Sequence, residues 1–182
     1  MNGSDWRALR SLRLRALRAS PESFFGDLST EGNYSKQAWR DELSDHIWVI
    51  AKSRMRKIGL VKLNHEPAAA DGMHLEALWV DPQRRRRRVG ALLVQAAENI
   101  AAELGARELK LWIFVENEEA QAFYARQGYG TPIRRQPLEV NGQTRHEQEY
   151  EKELRDNRSH TMDMEAKQPA LADAAGLRGT DG

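Results

Sequence analysis

The apolar period of this chain changes from two to 3.6 across one short loop. "MHLEALWV" (Met73 to Val80) alternates as a strand does and is ended by Asp81 and Pro82. From Val89 the apolar residues Leu92, Leu93, Ala96, Ala97, Ile100, Ala101 and Leu104 recur three or four positions apart, and Gly105 stands where a helix C′ glycine belongs. A strand, a tight loop and a long helix therefore follow one another, and the loop between them is "WVDPQRRRRRVGALL", with five arginines from Arg84 to Arg88.

The rest of the chain fits around that unit. Asp5 to Ala19 reads as a helix, with Trp6, Leu9, Leu12 and Ala16 on one face, Ser4 as its cap and Asp5 in its first turn; "SPESF" ends it at Pro21. Ser35 to Leu43 reads as a second helix capped by Ser35. His46 to Ser53 and Lys57 to Glu66 read as strands joined by a hairpin-length gap. Arg107 to Val115 is a strand with Leu109, Leu111 and Ile113 on one side and Lys110, Trp112 and Phe114 on the other. Asn117 to Gln127 is a helix with an asparagine cap, acids in its first turn and a glycine stop. Two weaker strands, near Thr131 to Leu138 and Thr144 to Leu154, complete the order. The expectation is an α+β (mixed α/β layered) domain over residues 1–154, followed by a disordered tail over residues 155–182.

Composition narrows the chemistry. With 28 Lys and Arg against 27 Asp and Glu, the net charge of +1 lacks the one-signed balance of a surface that binds nucleic acid throughout. The absence of cysteine removes disulfides, thiolate metal sites and an acyl-cysteine intermediate, and is compatible with a reducing cytoplasm. His46, His65, His74, His146 and His160 show no paired metal-ligand spacing, so no metal is expected. No apolar run reaches the roughly 18 residues of a membrane span. Trp6 to Arg18, arginine-rich and amphipathic, also has the look of a transit peptide, against which the cap residues favour an ordinary helix.

The arginines by themselves admit three readings. A charge run is commonly a solvated face, and it can also be a nucleic-acid or localisation patch, although no aromatic residues interleave here. The third reading is a phosphate loop: the first turn of a helix offers unpaired N–H groups and partial positive charge to an anion.

The same stretch resembles the acetyl-coenzyme A loop of the GNAT N-acetyltransferases, a strand and V-x-P followed by R/Q-x-x-G-x-G/A at a helix start. Val80, Pro82, Arg85 and Gly90 fall on it, while Arg88 occupies the middle glycine position and Arg86 another place where glycine is frequent. "LKLWIFVENEEAQAFYARQGYG" resembles the later family pattern through Asn117, Ala120, Tyr124, Gly128 and Tyr129. The resemblance covers roughly residues 4 to 154. It implies a central, mostly antiparallel sheet flanked by helices, and a strand before the first helix, which is either missing here or lies upstream of Met1.

The resemblance also implies acetyl-CoA as cosubstrate and a primary amine as acceptor, on a small molecule, a protein N-terminus or a lysine, with a homodimer possible and no nucleic acid or membrane partner. Leu78, Trp79, Val80, Arg85, Arg86, Arg87, Arg88, Val89, Gly90, Ala91 and Asn117 would bind the cosubstrate, with an N–H near Leu78 or Trp79 holding the oxyanion. An amine with a pKa of about 10.4 must lose a proton before it attacks. Glu76 is the candidate base, on the reading that alternation puts it on the face of Leu78 and Val80; it serves equally as a cross-strand ion-pair partner, and His74 is a lesser alternative. Tyr124 corresponds to the tyrosine that protonates the departing thiolate, or it packs beside Phe123. Asn117 is a cofactor donor, a helix cap, or both.

Overall fold

A computed structural model describes residues 5–65, 73–140 and 142–154; the expected tail from Arg155 onward and the residues before Asp5 lie outside them. Helix α1 (Trp6–Ala19) starts one residue later than expected, with Asp5 at the cap position, and Pro21–Ser23 form a 3₁₀ turn. A short helix that the sequence pattern does not announce follows, α2 (Leu28–Gly32), in which the Asp27 carboxylate accepts the Ser29 and Thr30 N–H groups at 2.8 and 2.9 Å. Ser35 Oγ accepts the Ala38 N–H at 3.1 Å and opens α3 (Lys36–Asp45). The remaining elements are β1 (Ile47–Ser53), β2 (Arg56–His65), β3 (Met73–Val80), α4 (Val89–Glu103), β4 (Glu108–Phe114), α5 (Glu118–Arg126), β5 (Arg134–Val140) and β6 (Gln143–Glu153). Among the described residues, no helix is long and apolar enough to cross a membrane.

The six strands form one sheet in the order β1-β2-β3-β4-β6-β5, antiparallel except for the β3–β4 pair. The mixed α/β layering and mostly antiparallel sheet expected from the sequence are therefore present. Two apolar layers cover the sheet. One joins Val61, Leu63, Met73, Leu75, Leu109 and Leu111 to Leu93, Val94 and Ala97 of α4. The other joins Trp48, Leu60 and Trp79 to Leu9, Leu12 and Leu17 of α1 and Trp39 of α3.

Two irregularities in the sheet decide what it can hold. Leu60 pairs with Trp79 and Lys62 with Glu76, so Ala77 and Leu78 together oppose the single residue Val61. This is a β-bulge, and Ala77 turns through it with φ +55. The alternation of β3 is reversed there: Met73 and Leu75 pack in the α4 layer before the bulge, and Leu78 and Val80 do so after it. In addition, among the described residues β3 pairs with β4 only at Met73–Leu109 and His74–Lys110, so beyond His74 the β4 edge of β3 has no ladder partner among them.

Candidate active site

A cavity of about 1450 Å³ is lined by residues from both sides of the sheet, so the space between the separating strands β3 and β4 connects the two layers. At one end stand Leu78, Trp79 and Val80 with the loop that follows, and Asn117, Phe123 and Tyr124 of α5 and its cap. At the other stand Arg13, Glu31, Glu42, Lys62, His74 and Glu76 among the rings of Phe24, Trp48 and Trp112.

The loop is held from below. Asp81 donates its N–H to the Ile58 carbonyl at 2.9 Å, its carboxylate accepts the Gln83 N–H at 3.1 Å, and Arg15 lies 3.7 Å from it. The Arg85 guanidinium turns back to the Val80 carbonyl at 3.4 Å and to Ser20 Oγ at 3.2 Å. Arg85, expected from the sequence to meet phosphate, lines the cavity while its Nε and Nη2 are held by these two contacts. Of the other loop residues expected to bind the cosubstrate, Arg86, Arg88, Val89, Gly90 and Ala91 line the cavity too, and Arg87 does not. Arg86 and Arg88 have φ of +59 and +61, the left-handed conformation that glycine adopts freely and that costs an L-residue roughly 1–2 kcal/mol. The first bond inside α4 runs from the Leu92 N–H to the Arg88 carbonyl at 3.0 Å, which leaves the Val89, Gly90 and Ala91 N–H groups without helical acceptors. A Cβ on Gly90 would stand 3.3 Å from the Phe123 ring, so the helix start is close-packed where it faces the cavity.

Glu76 departs from its expected position. Because of the bulge, it and His74 lie on the side of α1 and α3, opposite Leu78 and Val80. Its Oε2 is 2.8 Å from Lys62 Nζ and its Oε1 accepts Asn64 Nδ2 at 3.2 Å, while Lys62 also approaches Glu42 at 3.7 Å. Burial pushes the Glu76 carboxyl up, but the Lys62 hydrogen bond and charge, with Asn64 and His74, outweigh it and hold the group below its ordinary 4.5. The cross-strand ion pair is therefore present, and the carboxylate is ionised at neutral pH.

Tyr124 is buried edge-on to Phe123 and Tyr129, with ring centroids 5.1 and 5.4 Å away, and it also lines the cavity. Burial alone drives its hydroxyl well above the ordinary tyrosine value, so it stays protonated. Asn117 is a helix cap: its Oδ1 accepts the Ala120 N–H at 3.1 Å, and only its NH₂ remains for a ligand. Phe114 is buried between the Phe25 ring (4.9 Å) and the Arg145 guanidinium (3.3 Å).

At this end of the cavity Phe24, Phe25 and Trp39, near which the sequence reading set the acceptor, line the wall, while the buried charged pairs beside them were not foreseen. Arg13 and Glu31 pair at 2.7 and 2.9 Å, and Glu149 is buried between His74 at 3.7 Å and Arg134 at 3.1 Å. The available signal was the acid repeated at alternate positions of β6, which reads equally as a solvated face.

Residues 8–129 match the Acetyltransferase (GNAT) family, and the chain belongs to that family. Over 83 residues it is 31% identical to Peptidyl-lysine N-acetyltransferase YjaB of Escherichia coli (strain K12), covering 46% of this chain and 48% of that one. The chain thus spans about half the length of this curated relative. Among solved structures, the GNAT acetyltransferase of Streptococcus pneumoniae superposes with a TM-score of 0.69 at 17% identity over 85% of this chain and 96% of the other. The yncA acetyltransferase of Salmonella typhimurium, solved with its cofactor acetyl-CoA, superposes with a TM-score of 0.67 at 13% identity over 96% of each chain. At these identities the superpositions define the fold.

Proposed function

We propose that the protein is an N-acetyltransferase that moves an acetyl group from acetyl-CoA to a primary amine by direct attack in a ternary complex. The observation that carries this reading is one continuous cavity through the opened β3–β4 seam, with arginines and unpaired helix-start N–H groups at one end and an ionised carboxylate at the other. The free edge of β3 suits an extended chain containing amides, and the N–H groups of Val89, Gly90 and Ala91 with Arg86 and Arg88 suit a pyrophosphate. Acetyl-CoA supplies the thioester, whose carbonyl carbon is the electrophile.

The chain's own residues do the rest. Glu76 draws the acceptor's ammonium and takes one proton, and the freed lone pair forms the N–C bond. Charge developing on the carbonyl oxygen meets a main-chain N–H of the Leu78–Trp79 segment. The C–S bond breaks, and the sulfur leaves with its electron pair and takes the Tyr124 hydroxyl proton; the second proton lost from nitrogen completes the amide and restores the tyrosine hydroxyl.

Calorimetry with acetyl-CoA, followed by a free-thiol assay over an amine panel, tests the reading. No binding at millimolar cofactor would overturn it. Binding without turnover of any amine would favour the second reading, a GNAT-fold binding module, which the arginines in glycine positions suggest. Tyr124→Phe is expected to lower kcat by about 10²-fold or more while changing the Kd for acetyl-CoA little. An equal loss in both would reduce Tyr124 to packing.

Arg88→Gly separates shape from charge in the loop. It removes a left-handed L-residue and opens space for phosphate, so we expect stability to rise by about 0.5–1 kcal/mol and acetyl-CoA to bind at least as tightly. Arg88→Ala keeps the Cβ and removes the guanidinium, so binding should weaken and its dependence on salt should flatten. Denaturant titration and calorimetry at two salt concentrations read both effects.

A further inference from the structure

A second, smaller cavity of about 250 Å³ opens beside the acceptor end, walled by Phe25, Trp112, Leu138, Glu139, Val140 and Glu147. Phe25 and Trp112 also line the main cavity, so the two adjoin along those rings. Strand β6 places Glu147 and Glu149 on one face, two residues apart and both 4% exposed, but their surroundings differ. Glu149 opposes Arg134 on β5, which binds it through two nitrogens at 3.1 and 3.3 Å, and His74 approaches it from β3. Glu147 opposes the neutral Gln136, whose amide donates to Oε1 at 2.7 Å. Its Oε2 is buried and has no donor among the described residues. A carboxylate oxygen shut off from water without a donor is costly, and one compact cation would remove the cost.

Resting on the acetyltransfer reading for the location of the acceptor, we propose that Glu147 receives a second ammonium group of the acceptor, so that the preferred substrate class is an aliphatic diamine or polyamine rather than a monoamine. The walls fit such a ligand. Trp112, whose ring already carries the Arg134 guanidinium at 4.9 Å, and Phe25 wall it with apolar surface suited to a methylene chain, and the cavity is sized for a compact head group rather than a folded peptide. Phe25 is 50% exposed, in the stretch between the 3₁₀ turn and α2, and lines the same small cavity as Glu147. That stretch is anchored nearby, since Arg145 of β6 donates to the Glu22 carbonyl at 3.1 Å. Burial and the neighbouring Glu149 charge raise the Glu147 carboxyl above its ordinary value against the pull of Gln136 and Arg134, as expected for a carboxylate lacking its counter-ion.

The test is calorimetry of putrescine against n-butylamine, and of cadaverine against n-pentylamine, on the full chain saturated with CoA. A charge-assisted hydrogen bond predicts about tenfold to a hundredfold tighter binding of the better diamine than of its monoamine. Glu147→Gln keeps the shape and the Gln136 contact, and should bring that ratio close to unity without lowering the unfolding midpoint. Gln136→Arg leaves the carboxylate in place and supplies an internal cation, as Arg134 does for Glu149, and should also abolish the preference. Equal binding of diamine and monoamine to the unaltered protein, or a preference that survives both variants, overturns the proposal. Free-thiol release is read in parallel: a diamine preference in binding with no acetyl transfer would overturn the acetyltransferase reading alone, whereas transfer to both amines without preference would leave that reading standing and remove this one.

Discussion

Glu31→Ala is expected to cost the fold about 3–5 kcal/mol, measured as a fall in the urea midpoint at constant slope. The side chains of Arg13 and Glu31 are 9% and 12% exposed, and the pair is bidentate, at 2.9 Å from Nε and 2.7 Å from Nη2. The guanidinium also lies 4.7 Å from the Phe24 ring centroid, and its Nη1 is buried with no acceptor among the described residues. Removing Glu31 therefore strands a cation that is already under-satisfied, and it releases α2, five residues too short to persist alone. Gly26 makes the pair possible: a Cβ there would sit 2.1 Å from Glu31 Oε1 and 2.8 Å from Arg13 Nη2. The double variant Arg13→Met, Glu31→Leu should recover most of the loss, because a buried ion pair is weak against an apolar pair of similar volume. A single-variant cost below about 1 kcal/mol would mean that the pair is solvated.

Glu76→Gln should lower kcat/KM by about 10²–10⁴-fold, the range of a lost general base. Its ionised form is favoured by Lys62, so the acid limb of the pH–rate profile should fall below the ordinary glutamate value of 4.5. Lys62→Met reverses the balance, because burial, which raises the carboxyl, is then opposed mainly by Asn64. The limb should move to higher pH, and activity should be lost as pH falls through that new value. If His74→Ala costs more than Glu76→Gln and removes a limb of its own, the proton passes to the imidazole backed by Glu149 instead.

The helices of this chain were legible because their signals are local. Ser35 and Asn117 cap through their own side chains, and the period of α4 is carried by residues that all enter one apolar layer. Helix α2 was not legible, since five residues carry no period and their anchor, Glu31, pairs with a partner 18 positions away. The bulge was hidden for another reason: alanine is an ordinary strand or helix residue and gives no sign that position 77 will take a positive φ. Without it, period-two counting puts Glu76 on the wrong side of β3. The arginine loop was legible as a strand-to-helix turn, but not the direction each arginine takes: Arg85 lines the cavity while also holding Val80 and Ser20, and Arg87 does not line it. Buried acids on β6 escaped because a carboxylate facing inward and one facing solvent leave the same mark in a sequence.

The reversal at Ala77 also bears on how such a protein can diversify. In a regular strand, residues two apart share a neighbour, so changing one substrate's contacts disturbs the other's. Here positions 74 and 76 address one compartment and positions 78 and 80 another, with a single kinked residue as the partition. Under the proposed acetyl transfer, taste for a new amine could then drift through the first pair while the second pair kept its loyalty to one donor.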